Sequence, residues 1–136
     1  MGQFEEAMKV IQQNVQSVEA MLRANTVPVD YDVESLTWLE HYLEPQRARL
    51  NTAENEKEKN LTVDTIGAYL GECFCRAYAG QWVDFEGDLA IKLPGRWYVF
   101  PFSKVAKFIN EGSDESFVSH FSVHPVVVER SGSKWS

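Results

Sequence analysis

Metal-binding and redox side chains are scarce in this chain. Its 136 residues include only two cysteines and three histidines. Cys73 and Cys75 stand two apart on a stretch that reads as helix, so their side chains diverge. They give no disulfide framework and no zinc-ligand spacing. His120 and His124 stand four apart, but Pro125 disfavours helix at His124 and no third ligand lies near. No metal and no cofactor is expected. Basic charge is also short. Thirteen Lys and Arg face twenty Asp and Glu, a formal net charge of −7. That excludes the basic footprint a nonspecific nucleic-acid binder needs. It also argues against adhesion to an anionic membrane surface. No apolar run approaches the roughly 18 residues of a transmembrane helix. The start, MGQFEEAMKV, lacks the basic-then-apolar form of a secretory signal, and position 6 is Glu where a myristoylation signal needs Ser or Thr. A cytoplasmic location is the expectation. G-x-S-x-G, the P-loop, H-E-x-x-H and the dinucleotide fingerprint are all missing. No catalytic residue is assigned. Cys75 with His120 or His124 is the nearest approach to the nucleophile and base of a hydrolase.

What the chain has is apolar content, 44% of its residues, enough for one domain with its own core. The stretch Thr62 to Trp82, TVDTIGAYLGECFCRAYAGQW, is the best-defined element. Thr62 or Asp64 can cap a helix there. Ile66, Leu70, Cys73 and Ala77 form one apolar stripe, and Gly67, Gly71, Phe74 and Tyr78 form its neighbour. Two glycines on one face predict close approach by another backbone and burial on two sides. Gly80 is placed to take a left-handed conformation at the helix end. Glu72 and Arg76 have the spacing and order of a surface ion pair.

The segment GAYLGECFCRAYAGQW resembles the core motif of a bacterial family of small domains of unknown function. The matching positions are Gly67, Tyr69, Leu70, Gly71, Glu72, Arg76, Gly80 and Trp82. The likeness continues through Pro101, Phe102, Ser103, Val105, Lys107, Glu111, Gly112 and Ser116. Upstream, Trp38, Leu39, Gln46, Arg47 and Leu50 fit the family's preceding helix. About residues 35 to 122 are covered. The resemblance implies a compact α+β domain and carries over no activity.

Taken in order, Phe4, Met8, Ile11, Val15, Val18 and Leu22 alternate steps of four and three. The spacing predicts an amphipathic helix over residues 1–26. It either pairs with a second copy as a coiled coil, making a homodimer, or packs on its own domain; packing is favoured because three heptads are few. A second helix follows Pro28, capped by Asp30 or Asp32, with Val33, Leu36, Leu39 and Leu43 inward. It kinks at Pro45, or ends near Tyr42 and restarts. Asn51 to Asn60 is polar throughout and reads as a mobile loop or a short exposed helical turn. Gln81–Phe85, Leu89–Leu93 and Arg96–Phe100 alternate as three strands of an antiparallel meander, with Trp82, Leu89, Ile91, Trp97 and Val99 inward. Ser103 and Asp114 are candidate caps of short C-terminal helices. Pro125 to Glu129 is β-branched enough to add a strand, and 130–136 reads as a flexible tail. The fold class is thus α+β, with a core over 32–125.

Two candidate surfaces emerge. Between Arg23 and Arg47 there is no Lys or Arg, while Asp30, Asp32, Glu34, Glu40 and Glu44 all fall there. That gap predicts an acidic face for a basic protein partner. Glu72, Arg76, Trp82, Trp97, Tyr98 and Phe102 form a second set, since so many aromatics cannot all be central in a small core. The expectation is a non-catalytic protein–protein interaction module. Its sharpest form is an immunity-type protein covering a basic toxin. The alternatives are a self-assembling adaptor and a small-ligand-binding domain.

Overall fold

A computed structural model describes residues 2–122. Five α-helices and one small sheet make up its α+β architecture: α1 (Gly2–Ala24), α2 (Val33–Leu43), α3 (Arg47–Leu50), α4 (Glu56–Tyr78), β1 (Gln81–Phe85), β2 (Asp88–Leu93), β3 (Trp97–Val99) and α5 (Pro101–Glu111). Residues 117–122 add a last helical segment. The expected strand at Pro125 to Glu129 and the expected tail at 130–136 lie outside the described residues. Among the described residues no helix is long and apolar enough to cross a membrane.

The apolar stripe of α1 is buried within the chain. Ile11, Val15, Val18 and Leu22 are buried, whereas Phe4 and Val10 stay exposed. Asp32 caps α2 through a capping box. Ser35 N–H donates to Asp32 Oδ1 at 3.1 Å, and Asp32 N–H donates back to Ser35 Oγ at 3.3 Å. The helix ends at Leu43, and Pro45 sits in a tight turn over Glu44–Gln46 before α3 begins. Arg47 then reaches across the fold. Its Nε donates to the carbonyls of Phe108 and Ile109 at 3.1 and 3.0 Å, which satisfies the C-terminal end of α5. Gly112 ends that helix, and a Cβ there would lie 2.9 Å from the Arg47 guanidinium.

The polar stretch at 51–60 takes the helical of its two expected forms and not the loop. A turn over Ala53–Asn55 leads into α4, which begins at Glu56, six residues before the expected start at Thr62. The cause is side-chain bonding that sequence periodicity does not register. Asn55 Nδ2 donates to the Arg49 carbonyl at 2.9 Å, and Arg49 pairs with Glu58 at 2.7 Å. Thr62 does not cap the helix; its hydroxyl donates back to the Glu58 carbonyl at 2.9 Å. In its middle α4 is buried without interruption from Ile66 to Gly71, as expected of a central helix.

At the end of α4 it is Ala79, with φ +57°, that takes the left-handed conformation, not Gly80. Gly80 is needed for space instead. A Cβ on it would meet Ile91 Cγ2 at 2.5 Å and Leu93 Cδ2 at 2.8 Å. The strands form the expected meander in the order β1-β2-β3. Trp82 pairs with Ile91 and Ile91 with Val99, so these share the face toward α4. Ile91 and Val99 are buried there, while Trp82, Leu89 and Trp97 are half-buried. The β1–β2 turn has two residues, Glu86 and Gly87, both at positive φ, the form whose twist matches a hairpin.

α5 starts at Pro101 without a side-chain cap, two residues before the expected cap Ser103. Proline is suited to a first helical turn because it lacks the N–H that would go unbonded there. The cap of the last helical segment is Ser116, not Asp114. Ser119 N–H donates to Ser116 Oγ at 3.0 Å. Asp114 lies in a short turn over Gly112–Glu115.

Candidate functional site

The acidic set divides. Asp32 is the α2 cap. Glu44 pairs with Arg47 at 3.0 Å. Glu40 accepts from Ser116 Oγ at 2.8 Å and from Val118 N–H at 3.1 Å, so it anchors the last helical segment from outside. Asp30 and Glu34 alone remain exposed with no partner among the described residues. Charge density that looks continuous in sequence is therefore broken up by local bonding. Near the exposed pair, Trp38 stacks on Tyr42 with ring centroids 5.5 Å apart, and Tyr42 is solvent-facing.

The motif residues do come together. Glu72 pairs with Arg76 at 3.7 Å, and its other oxygen accepts from the Trp82 indole at 3.1 Å. The Arg76 guanidinium lies 3.7 Å from the centroid of the Tyr31 ring, a cation–π contact. Tyr31 has φ +56°, a strained conformation for an aromatic residue. It is held from every side. Its ring stacks on Tyr69 at 5.0 Å, its N–H donates to Tyr69 Oη at 3.2 Å, and its hydroxyl donates to Glu19. Tyr69 in turn donates to the buried Ser35 at 2.7 Å. Burial, with the Glu19 carboxylate added, pushes the Tyr31 phenol up to about 12. Burial raises Tyr69 as well. Both phenols therefore stay un-ionised near neutral pH. The cluster joins the α1–α2 connector to α4 and β1.

The two glycines of α4 seat aromatic side chains. The close approach expected from a backbone is made mainly by rings. A Cβ on Gly71 would lie 2.3 Å from Trp82 Cζ2, and one on Gly67 would lie 2.5 Å from Phe102 Cδ1. The two rings pack together with centroids 5.8 Å apart. Tyr98 points to the other face of the sheet and packs on Phe85 at 4.6 Å. Trp97, its chain neighbour, lies half-buried on the face toward α4. Trp97 and Tyr98 therefore do not join the Glu72, Arg76, Trp82 and Phe102 group.

Burial pushes the Cys75 thiol up to about 12. Burial raises the Cys73 thiol as well. A nucleophilic cysteine needs the opposite shift. His120 packs on Phe74, with ring centroids 5.6 Å apart, and His124 lies outside the described residues. Among the described residues no group of three His, Cys, Asp or Glu is gathered closely enough to hold a metal. Reaction of the native protein with a disulfide reagent at pH 8 is expected to run at least about 100-fold slower than reaction of the urea-unfolded chain. Equal rates would show that Cys75 is accessible and ionised.

Phe102 also forms part of a groove that no local sequence signal marks. One wall is α1, through Ala7, Val10, Ile11 and Asn14. The other is Asp64 of α4 with Gly87, Asp88 and Leu89 of the hairpin. The hollow measures about 470 Å³ and runs on into a second of about 320 Å³ that shares Asp88, Leu89 and Phe102 and adds Phe100 and Ser103. Val10 is 53% exposed and Phe100 37%, so part of the molecule's uncovered apolar surface lies here. Among the described residues no cationic side chain lines either hollow. Partial burial raises the Asp64 carboxyl above its ordinary value. No family model, curated protein or solved structure matches the chain.

Proposed function

We propose that this protein is a non-catalytic interaction module that takes a basic, partly apolar segment of a protein partner in the groove between α1 and the β1–β2 hairpin. One observation carries the reading: an open apolar groove whose charged lining, among the described residues, is Asp64 and Asp88, with no cation beside them there. Carboxylates against low-dielectric walls favour a ligand that supplies its own positive charge. The cell interior of a bacterium is the proposed setting, and neutralisation of a basic toxin is the sharpest form of the role. Exposed Asp30 and Glu34 can add long-range attraction to such a partner without touching it.

Photo-crosslinking in the native lysate tests this. A photoreactive residue placed at Val10 is expected to trap a basic partner; one placed at Tyr42, beside the acidic residues of α2, is not. Trapping at Tyr42 alone would move the interface to α2, and trapping at neither would remove the groove reading. The double substitution Asp64→Asn with Asp88→Asn is expected to weaken capture about tenfold, or about 1.4 kcal/mol. Stability should not fall with it. Because the folded Asp64 carboxyl is raised, its ionised form slightly opposes folding above that pKa, and this opposition fades as pH falls through it. Removing the charge should therefore leave unfolding at pH 7 within about 0.5 kcal/mol, on the stable side.

A further inference from the structure

On the far side of Phe100 and Ser103 lies a third hollow, of about 240 Å³, with the opposite charge. Those two residues line both it and the acidic groove, so they form a ridge between the two. Beyond the ridge the lining is Tyr98, Val99, Lys104, Lys107 and His120. Lys104 is engaged by Glu115 at 3.0 Å. Lys107 is exposed and pairs with no carboxylate among the described residues. The Glu115 carboxyl lies below its usual range, held there by the hydrogen bond and charge of Lys104, with Lys107 and His120 adding to it. Among the described residues the lining of the hollow is thus net positive, in a chain whose overall charge is −7. The hollow also follows Tyr98 and Val99 of β3 and Phe100 just past its end. β3 is the last strand in the order β1-β2-β3 and so presents an edge among the described residues.

We infer that the partner segment is extended and bipolar, lying across the Phe100–Ser103 ridge with a basic side chain toward Asp64 and Asp88, an apolar side chain on Phe100, and an acidic side chain toward Lys107. This inference rests on the groove reading and specifies its ligand. A segment of one sign of charge would satisfy one hollow and meet repulsion in the other. The strand edge favours an extended backbone, since a peptide laid there can bond to main-chain groups and place alternate side chains in the hollows. The ridge supplies apolar contact where the two fields cancel.

The test is selection of a displayed library of random linear peptides on the full-length protein. Enriched peptides are expected to carry a Lys or Arg and an Asp or Glu with an apolar residue between them. A synthetic peptide of that sequence should bind Lys107→Glu about tenfold more weakly than wild type. Exchanging its acidic residue for Lys should restore binding to Lys107→Glu and weaken binding to wild type. Enrichment of basic peptides indifferent to Lys107→Glu would overturn the bipolar ligand and leave the groove reading standing. Enrichment of acidic peptides alone, or of none, would overturn both. Lys107 is solvent-facing, so its substitution does not endanger the fold; matching circular dichroism and Tm would verify that.

Discussion

Replacing Glu40 by Ala is expected to destabilise the protein by about 2–3 kcal/mol, whereas the same change at Glu34, on the same helix, should stay within about 0.5 kcal/mol. Both belong to the acidic run that sequence alone assigns to partner binding. Glu40, however, accepts from Ser116 Oγ at 2.8 Å and from Val118 N–H at 3.1 Å. Hydrogen bonds to a carboxylate contribute about 1.5–3 kcal/mol each when desolvated, and partial exposure here puts the pair nearer the low end. The carboxylate also sits at the N-terminal end of the helical segment 117–122, where a negative charge complements the helix dipole. The loss would reach beyond two bonds, because that segment buries Phe117 and Phe121 completely or nearly so. Urea unfolding monitored by tryptophan fluorescence measures it. Glu40→Gln should recover about half, since an amide oxygen still accepts. Ser116→Ala should be less than additive with Glu40→Ala, because the two share one network. If Glu40→Ala and Glu34→Ala unfold alike, the anchoring role is wrong.

The contrast between these glutamates shows where sequence reading reaches its limit. Element types were legible because periodicity is local. The stripe Ile11, Val15, Val18 and Leu22 is buried as its spacing implies, and the alternation after Gly80 becomes a meander with Ile91 and Val99 inward. Boundaries failed where a polar side chain bonds to something outside the periodic pattern. Asn55 and Glu58 hold the start of α4 through Arg49, so a stretch without apolar anchors is ordered. The role of Glu40 depends on Ser116, 76 residues away, and no local feature of α2 can announce it.

The same limit hid the groove. Its charged residues are Asp64, which reads as a helix cap, and Asp88, which reads as a turn residue. They face one hollow only because α1 and the hairpin flank α4 from either side. One clue was nevertheless present in the sequence. Two glycines on one helical face state that something must lie close to α4, and the close neighbours are the rings of Trp82 and Phe102. The aromatic residues singled out as surface anchors are thus partly scaffold: Phe102 lines the groove while Trp82 braces it from behind.

That bracing makes Gly71→Ala the more revealing substitution. In an open helix the change would stabilise by about 1 kcal/mol, because glycine is the poorer helix former. Here the added Cβ would lie 2.3 and 2.4 Å from Trp82 Cζ2 and Cη2, and 3.3 Å from Ile91 Cδ1. Trp82 has little room to retreat. Its indole N–H is held by Glu72 at 3.1 Å, and Phe102 packs against the ring at 5.8 Å. Overpacking of this kind costs about 1–3 kcal/mol, and it must first cancel the helix gain of about 1 kcal/mol, so a net loss of up to about 2 kcal/mol is expected. The sign should reverse when Trp82 is removed. In a Trp82→Ala background, Gly71→Ala should stabilise by up to about 1 kcal/mol, a coupling measurable by urea unfolding of the four variants. Destabilisation of equal size in both backgrounds would mean that the ring is not what excludes the methyl group. Gly71→Ala should also weaken binding in the groove without touching a ligand, because a displaced Trp82 pushes on Phe102, which lines both acidic hollows. Loss of binding in Gly71→Ala at a temperature where it is fully folded, together with retained binding in Glu40→Ala under the same condition, would locate the site on the Trp82–Phe102 side of the molecule and not on the acidic face of α2.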